Sequence, residues 1–140
     1  MRSIVPPALR PSYDDWHFSP AIEANGIVWL AGCTGAGPDG VADDAAEQCR
    51  AAFAKAGLAL EAADLGFGHV VEMTSYHVDI AATLEPFKAV KDEFLVEPWP
   101  AWTAIGVAAL AVPGALVEIR LVAVRSPARE PAAGGADRTA

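Results

Sequence analysis

Apolar and polar positions alternate along the chain with two different periods, which predict five strands and two helices. Two short apolar runs in residues 21–30 flank an Asn-Gly dipeptide, which accepts the positive φ angles of a hairpin turn. Period-two alternation is clearest in residues 115–124, and β-branched and aromatic residues predict further strands in residues 69–78 and 102–108. The order strand, strand, helix, strand, helix, strand, strand is typical of an α+β domain, with a mostly antiparallel sheet and both helices on one face.

Three- and four-residue steps between apolar positions predict the two helices. The first helix begins after Asp44, whose side chain can cap it, and Glu47 is placed to complete a capping box with Asp44. The apolar pattern of this helix ends before Gly66. Cys49 falls on the apolar stripe of this helix, so we interpret it as a core residue. The second helix carries Pro86 near its first turn, where a missing N–H costs little.

The two ends of the chain differ from its periodic part. Residues 1–18 contain three prolines and are predicted to be irregular, yet their Tyr, Trp, His and Phe side chains supply too much aromatic area for a free arm. Residues 126–140 are rich in Pro, Ala and Gly and lack core-forming side chains, which predicts a disordered tail. The sequence therefore predicts a single domain over residues 1–125.

Composition narrows the possible functions. The 140 residues are 53% hydrophobic with a formal net charge of −8, so the chain can build a core, and its acidic balance argues against nucleic-acid binding. The two cysteines are too few for a disulfide framework and do not have the spacing of a zinc site. No apolar stretch is long enough for a membrane span. We expect a cytoplasmic protein with no metal, cofactor, nucleic-acid or membrane partner. The apolar excess predicts that the second face of the sheet packs against another subunit.

Standard catalytic motifs are absent from the sequence, so the candidate chemistry rests on single residues. Glu118 lies in an otherwise apolar strand, where loss of water raises the pKa of a carboxyl toward the range of a general acid or base. The alternatives are an exposed side chain or a pair with Arg120 on the same face of the strand. Cys33 follows Gly32 at a strand end and could face a cleft, but nothing nearby in sequence would lower the pKa of its thiol.

Several segments together resemble the Rid family (RidA/YjgF, formerly endoribonuclease L-PSP). They are HFSPAI at residues 17–22, VWLAG at 28–32, VVEMTSYHVD at 70–79 and, most specifically, PGALVEIRLVAV at 113–124, with Gln48 as further support. The resemblance implies a chorismate-mutase-like α+β fold that forms a homotrimer, with the sheets lining a central barrel and pockets at the subunit clefts. It also implies hydrolysis of reactive imines and enamines to ketones and ammonia without a bound cofactor.

The same resemblance assigns roles to individual residues. Glu118 matches the glutamate that orients the attacking water, Gly32 matches a backbone contact to the ligand, and Phe18 stands where many members have a tyrosine. Trp102 stands where the deaminases carry an arginine that grips the substrate carboxylate, a bidentate contact that tryptophan cannot make. The substrate-binding residues implied around Glu118 are Phe18, Gly32, Cys33, Trp102 and Thr103.

Two hypotheses of function follow. The first is a hydrolase or deaminase acting on a reactive imine or enamine at subunit-interface clefts, with a substrate other than the small 2-imino acids because Trp102 replaces the arginine. The alternative is a non-catalytic homotrimer that binds a small molecule or acts like a chaperone. The identity of the substrate, the survival of catalysis and the reach of Arg120 toward the cleft stay open at this point.

Overall fold

Seven strands form one sheet in the computed structural model of the protein, which describes residues 1–126. The strands are β1 (Arg2–Ile4), β2 (Ala21–Ala24), β3 (Ile27–Leu30), β4 (Cys33–Thr34), β5 (Val70–Val78), β6 (Ala101–Val107) and β7 (Val117–Val124). The helices are α1 (Arg10–Asp14), α2 (Ala45–Ala62) and α3 (Ile80–Lys91), with 3₁₀ turns at Pro7–Leu9 and Phe67–His69. The predicted α+β class is confirmed, while the prediction of a disordered tail concerns residues outside the described part of the chain.

The sheet has the order β1-β2-β3-β7-β5-β6, and β4 also pairs with β7. The pairs are antiparallel except β5 with β6, which is parallel. β3 pairs with the second half of β7, whereas β4 pairs with its first half, where Thr34 lies opposite Glu118. Between β3 and β4 the chain leaves the ladder at residues 31–32, so this interruption lies beside the strand that carries Glu118.

The core lies between the sheet and the two long helices. On β7 the residues alternate as predicted, with one set buried beneath the helices and the other half-buried or exposed. The buried set is Val117, Ile119, Leu121 and Ala123. Cys49 on α2 is fully buried, which confirms its interpretation as a core residue. Asp44 accepts a hydrogen bond from the Glu47 amide at 3.1 Å, as expected for the cap of α2.

Three local predictions are wrong. Residues 1–18 are not wholly irregular, because they contain β1, a 3₁₀ turn and α1. Residues 32–40, whose four glycines and one proline predict a loop, contain β4. These elements are two to five residues long, too short for a periodic pattern to reveal. Pro86 lies in the interior of α3 and not in its first turn, because the helix begins six residues earlier. The carbonyl of Ala82, four residues before the proline, is on an exposed part of the helix, where water can replace the missing N–H.

A buried polar network joins β5, β6 and α3. His77 is completely buried, and its Nε2 lies 2.8 Å from the Ser75 Oγ, which also accepts the Trp102 indole N–H at 2.8 Å. Its Nδ1 lies 3.2 Å from the Thr83 Oγ1, which donates to the backbone carbonyl of Val78 or Asp79. Every hydrogen-bond donor of this network therefore has an acceptor when Nδ1 of His77 carries the proton and Nε2 accepts a hydrogen bond from the Ser75 hydroxyl. A neutral imidazole satisfies this network, and a second proton on Nε2 would break it.

We expect acid to weaken the fold through His77. Burial lowers the pKa of this imidazole below its ordinary value of 6.5, so the unfolded chain takes up the proton first. The stabilisation is then complete above about pH 6.5 and is lost below it, with a slope of up to about 1.4 kcal/mol per pH unit. Denaturant unfolding between pH 7 and 5 measures the slope. An NMR titration midpoint of His77 at or above 6.5 would contradict this account.

Candidate functional site

One cavity of about 630 Å³ brings Glu118 together with the loop between β3 and β4, the N-terminal segment and helix α2. This volume falls within the usual range of small-molecule sites. Most of the wall is apolar. The lining residues are Leu9, Pro11, Ser12, Trp16, Phe18, Pro20, Ala31, Gly32, Cys33, Thr34, Ala36, Gly37, Lys55, Ala111, Val112 and Glu118.

The Glu118 carboxylate lies directly against the backbone of Gly32. A Cβ atom built on Gly32 would meet the carboxylate oxygen Oε2 and would come within 2.8 Å of Cδ, too close for any real side chain. The interruption between β3 and β4 therefore leaves room for the carboxylate only because residue 32 has no side chain. The φ angle of Gly32 is not positive, so the backbone conformation does not require a glycine here. The close approach of the Glu118 carboxylate explains why residue 32 is a glycine.

Glu118 is half-buried and has no ion-pair partner within 4 Å among residues 1–126. Burial raises the pKa of its carboxyl above the ordinary 4.5, and the charge of Lys55 opposes this only in part. Arg120, the partner considered from sequence, is exposed and is not part of the cavity wall. The carboxyl can therefore exchange a proton at a higher pH than an exposed glutamate does.

Cys33 forms a closed, apolar part of the wall. Its side chain is buried, its thiol donates a weak hydrogen bond to the Ala31 carbonyl at 3.6 Å, and burial raises the pKa of the thiol to about 11. The thiol is therefore protonated at neutral pH, which gives Cys33 the properties of a small apolar wall residue and not of a nucleophile. Thr34 next to it is also buried, and its Oγ1 accepts a hydrogen bond from the backbone N–H of Ala36 at 3.3 Å.

The structure brings together four of the six sequence-derived site residues, namely Phe18, Gly32, Cys33 and Glu118. Trp102 and Thr103 lie apart from this cavity, on β6. Trp102 is in register with the buried Met73, so its indole faces the helices, where its ring lies 5.7 Å from that of Phe87. Thr103 faces the other side of the sheet and is exposed. Trp102 therefore belongs to the buried network and does not line the cavity, and its contact with a ligand stays a prediction.

Gln48 holds in place a segment of the chain that contributes to the cavity wall. This buried amide donates from Nε2 to the carbonyls of Ala42 at 2.6 Å and Gly114 at 3.1 Å, and its Oε1 accepts the Leu116 amide at 2.8 Å. One side chain of α2 therefore holds the connection between β6 and β7, which carries the lining residues Ala111 and Val112. The sequence offered Gln48 only as support for a family resemblance, and the geometry gives it a structural task.

Sequence reasoning missed Lys55 and most of the N-terminal wall. Lys55 is half-buried at the cavity, although neighbouring positions of α2 are small or apolar and nothing in the helical period singles it out. Trp16 and Phe18 line the cavity while keeping 72% and 41% of their surface exposed, so the aromatic segment is only partly covered within the subunit. Apart from Phe18, which the family resemblance supplied, the signal for this wall was the aromatic content of residues 1–18. That content indicated that the segment packs, but not what it packs against.

Two findings concern other kinds of site. Residues 1–126 contain no group of three or more His, Cys, Asp or Glu side chains placed to hold a metal ion. Among the helices of the described residues, none has the length and apolar character needed to cross a membrane.

Comparison with known proteins identifies the family to which this fold belongs. Residues 13–125 match the family described as Endoribonuclease L-PSP. The chain is 36% identical over 125 residues to the RutC family protein YjgH of Escherichia coli (strain K12), covering 87% of this chain and 94% of that protein. A solved structure of a protein named YJGH superposes with a TM-score of 0.79 at 32% identity, covering 88% of this chain and 95% of the other.

A Mycobacterium tuberculosis member of the YjgF/YER057c/UK114 family superposes with a TM-score of 0.75 at 29% identity, covering 89% of this chain and 99% of that one. The match to the family extends from the N-terminal wall of the cavity through β7 and its Glu118. Sequence and fold agree over this range, and the chain belongs to the Endoribonuclease L-PSP (YjgF/RidA) family.

Proposed function

We propose that this protein hydrolyses a reactive imine or enamine, releasing ammonia and a carbonyl compound, with Glu118 as the catalytic residue. The observation that carries the proposal is the Glu118 carboxylate held against Gly32 in a mostly apolar cavity of small-molecule size. Burial raises the pKa of this carboxyl, which suits a group that accepts and returns a proton at a higher pH than an exposed glutamate does. The resemblance of the Glu118 strand to that of family deaminases is consistent with the same role.

The chemistry requires one water and one proton carrier. The Glu118 carboxylate accepts a proton from water as the water oxygen bonds to the imine carbon, and the electron pair of the C=N bond moves to nitrogen, which takes up a proton from solvent. The Glu118 carboxyl then returns its proton to the nitrogen of the resulting carbinolamine, ammonia leaves with the electron pair of the C–N bond, and the C=O bond forms as the hydroxyl releases its proton to solvent. The carboxyl ends the cycle as it began, so no cofactor is consumed.

An apolar or aromatic substrate suits the cavity better than a small 2-imino acid. Trp102 stands where the resembling deaminases have their carboxylate-binding arginine, and its indole N–H is already committed to Ser75. Loss of a bidentate charged contact is expected to cost about 2–5 kcal/mol of binding for such a carboxylate. Trp16, Phe18 and Val112 present apolar surface in the cavity.

A homotrimer is part of the proposal. The sheet face away from the helices carries half-buried or exposed apolar side chains, among them Trp29, Tyr76, Ile105 and Val122. An apolar face of an antiparallel sheet favours contact with another subunit. In such an assembly the edge strand β6, with Trp102 and Thr103, is expected to border the cleft of a neighbouring subunit.

The test is a comparison of two imines with the wild-type protein. Ammonia release from an aryl ketone imine, acetophenone imine, is expected to exceed the spontaneous rate and to be favoured by at least about tenfold over 2-iminopropanoate generated in situ. Spontaneous hydrolysis in the same buffer is subtracted for each compound. Preference for 2-iminopropanoate would contradict the proposed substrate class, and no acceleration of either imine would contradict the proposed function.

A non-catalytic binder is the second candidate, and the mostly apolar wall of the cavity favours it. This candidate predicts that acetophenone, the stable ketone, raises the melting temperature while neither imine is hydrolysed faster than in buffer. Acceleration that depends on Glu118 would exclude it.

A further inference from the structure

The cavity contains Lys55, whose surroundings differ from those of the other two lysines of the chain. Lys55 extends from α2 to the same cavity as Glu118, while Lys88 and Lys91 lie on α3 beside Glu85 and Asp92 at 3.4 and 2.8 Å. Within residues 1–126, no carboxylate lies within 4 Å of the Lys55 ammonium. Lys55 therefore combines partial burial with the lack of a direct ion pair.

The surroundings of Lys55 favour a neutral amine more than those of an exposed lysine do. Burial lowers the pKa of its ammonium, and the charge of the Glu118 carboxylate opposes this only in part. Burial also raises the pKa of the Glu118 carboxyl. A cavity that disfavours both charges increases the fraction of uncharged amine and the fraction of carboxylic acid at two residues of the same wall, and imine formation requires both groups.

We propose that Lys55 captures apolar aldehydes and ketones in the cavity as reversible imines, with Glu118 as the neighbouring acid. This goes beyond imine hydrolysis and does not require it, because the electrophile is a carbonyl compound and the nucleophile belongs to the protein. The apolar wall formed by residues such as Trp16, Phe18 and Val112 selects a carbonyl compound with an apolar or aryl group.

The reaction is balanced without an oxidant or a cofactor. The lone pair of the Lys55 Nζ bonds to the carbonyl carbon, the π electrons move to oxygen, and a proton passes from nitrogen to oxygen to give a carbinolamine. The Glu118 carboxyl then protonates the hydroxyl, which leaves as water while the C=N bond forms. The remaining nitrogen proton returns to the Glu118 carboxylate, and addition of water reverses every step.

Reductive trapping tests the proposal on the wild-type protein. We expect benzaldehyde with cyanoborohydride to place a benzyl group on Lys55 at least about tenfold faster than on Lys88 or Lys91, as quantified by peptide mass spectrometry. The chain has only three lysines, so the two on α3 are internal controls in the same sample. Equal labelling of the three lysines would overturn the proposal.

Two variants sharpen the result. Lys55→Arg keeps the positive charge but removes the nucleophilic amine, so fast labelling is expected to disappear, whereas Lys88→Arg is expected to leave it unchanged. Glu118→Gln is expected to slow labelling at Lys55 without moving it elsewhere. Fast labelling that persists in Lys55→Arg would overturn the proposal. Wild-type labelling at Lys55 without hydrolysis of any imine would support the capture reaction while contradicting the proposed hydrolase function.

Discussion

Replacement of Glu118 by glutamine is expected to lower kcat/KM for imine hydrolysis by about 10²–10⁴-fold. Glutamine keeps the size of the side chain and its place against Gly32, but it cannot accept a proton from water. Because the wild-type carboxyl is partly desolvated, the neutral amide is expected to leave the melting temperature unchanged or raised. Initial rates of ammonia release, together with thermal unfolding of the same samples, separate the catalytic effect from loss of structure.

Glu61→Gln is the matched control for this variant. Glu61 is exposed on α2 and outside the cavity, so the same chemical change there is expected to leave turnover unaltered. If Glu118→Gln retains wild-type turnover with a substrate that the protein accepts, Glu118 is not the proton carrier.

Gly32→Ala is expected to reduce turnover by about 10²-fold or more while the fold is retained. The new methyl group would fall within 2.8 Å of the Glu118 Cδ, so the carboxylate has to move away from its position. The end of a glutamate side chain can rotate aside at little cost in stability, and so the loss falls on the geometry of the reaction. A displacement of about 1 Å is enough to cause an effect of this size.

Gly37→Ala provides the control for Gly32→Ala, since Gly37 lines the same cavity and a Cβ added there meets no atom within 4 Å. It is expected to retain turnover close to wild type. Equal losses in both variants would mean that any added methyl group disturbs the loop, and the specific role of the contact between Gly32 and Glu118 would be wrong.

The strands and helices predicted correctly are those whose signals are local. The Asn25-Gly26 turn has positive φ angles of 51° and 76°, as the dipeptide predicts, and the alternation of β7 follows from one face being buried. The strand missed in the N-terminal segment is stabilised by contacts with a distant part of the chain. This strand, β1, is formed by pairing with β2, about twenty residues away in sequence.

The family resemblance supplied Phe18 and Gly32 of the candidate site, whereas the local pattern singles out a residue clearly only where that residue conflicts with it. Glu118 is such a residue, because a carboxylate in an apolar strand is conspicuous. Lys55 gives no such signal, since a lysine on an amphipathic helix is ordinarily exposed. Trp102 illustrates a different difficulty: the face that it occupies depends on its register with Met73 across a parallel pair, which the sequence of β6 alone does not determine. Its contact with a ligand stays a prediction that requires a second subunit.

The central claim is that the Glu118 carboxylate, partly desolvated in the cavity, activates the water that attacks the imine. The most direct test is the pH dependence of kcat/KM for acetophenone imine hydrolysis in wild type and Glu118→Gln, with the spontaneous rate subtracted at each pH. Because burial raises the pKa of this carboxyl, the wild-type rate is expected to fall on acidification through a midpoint above 4.5, and the residual rate of the variant is expected to lack that limb. The same limb in both proteins, or a wild-type rate that stays constant down to pH 4.5, would contradict the account.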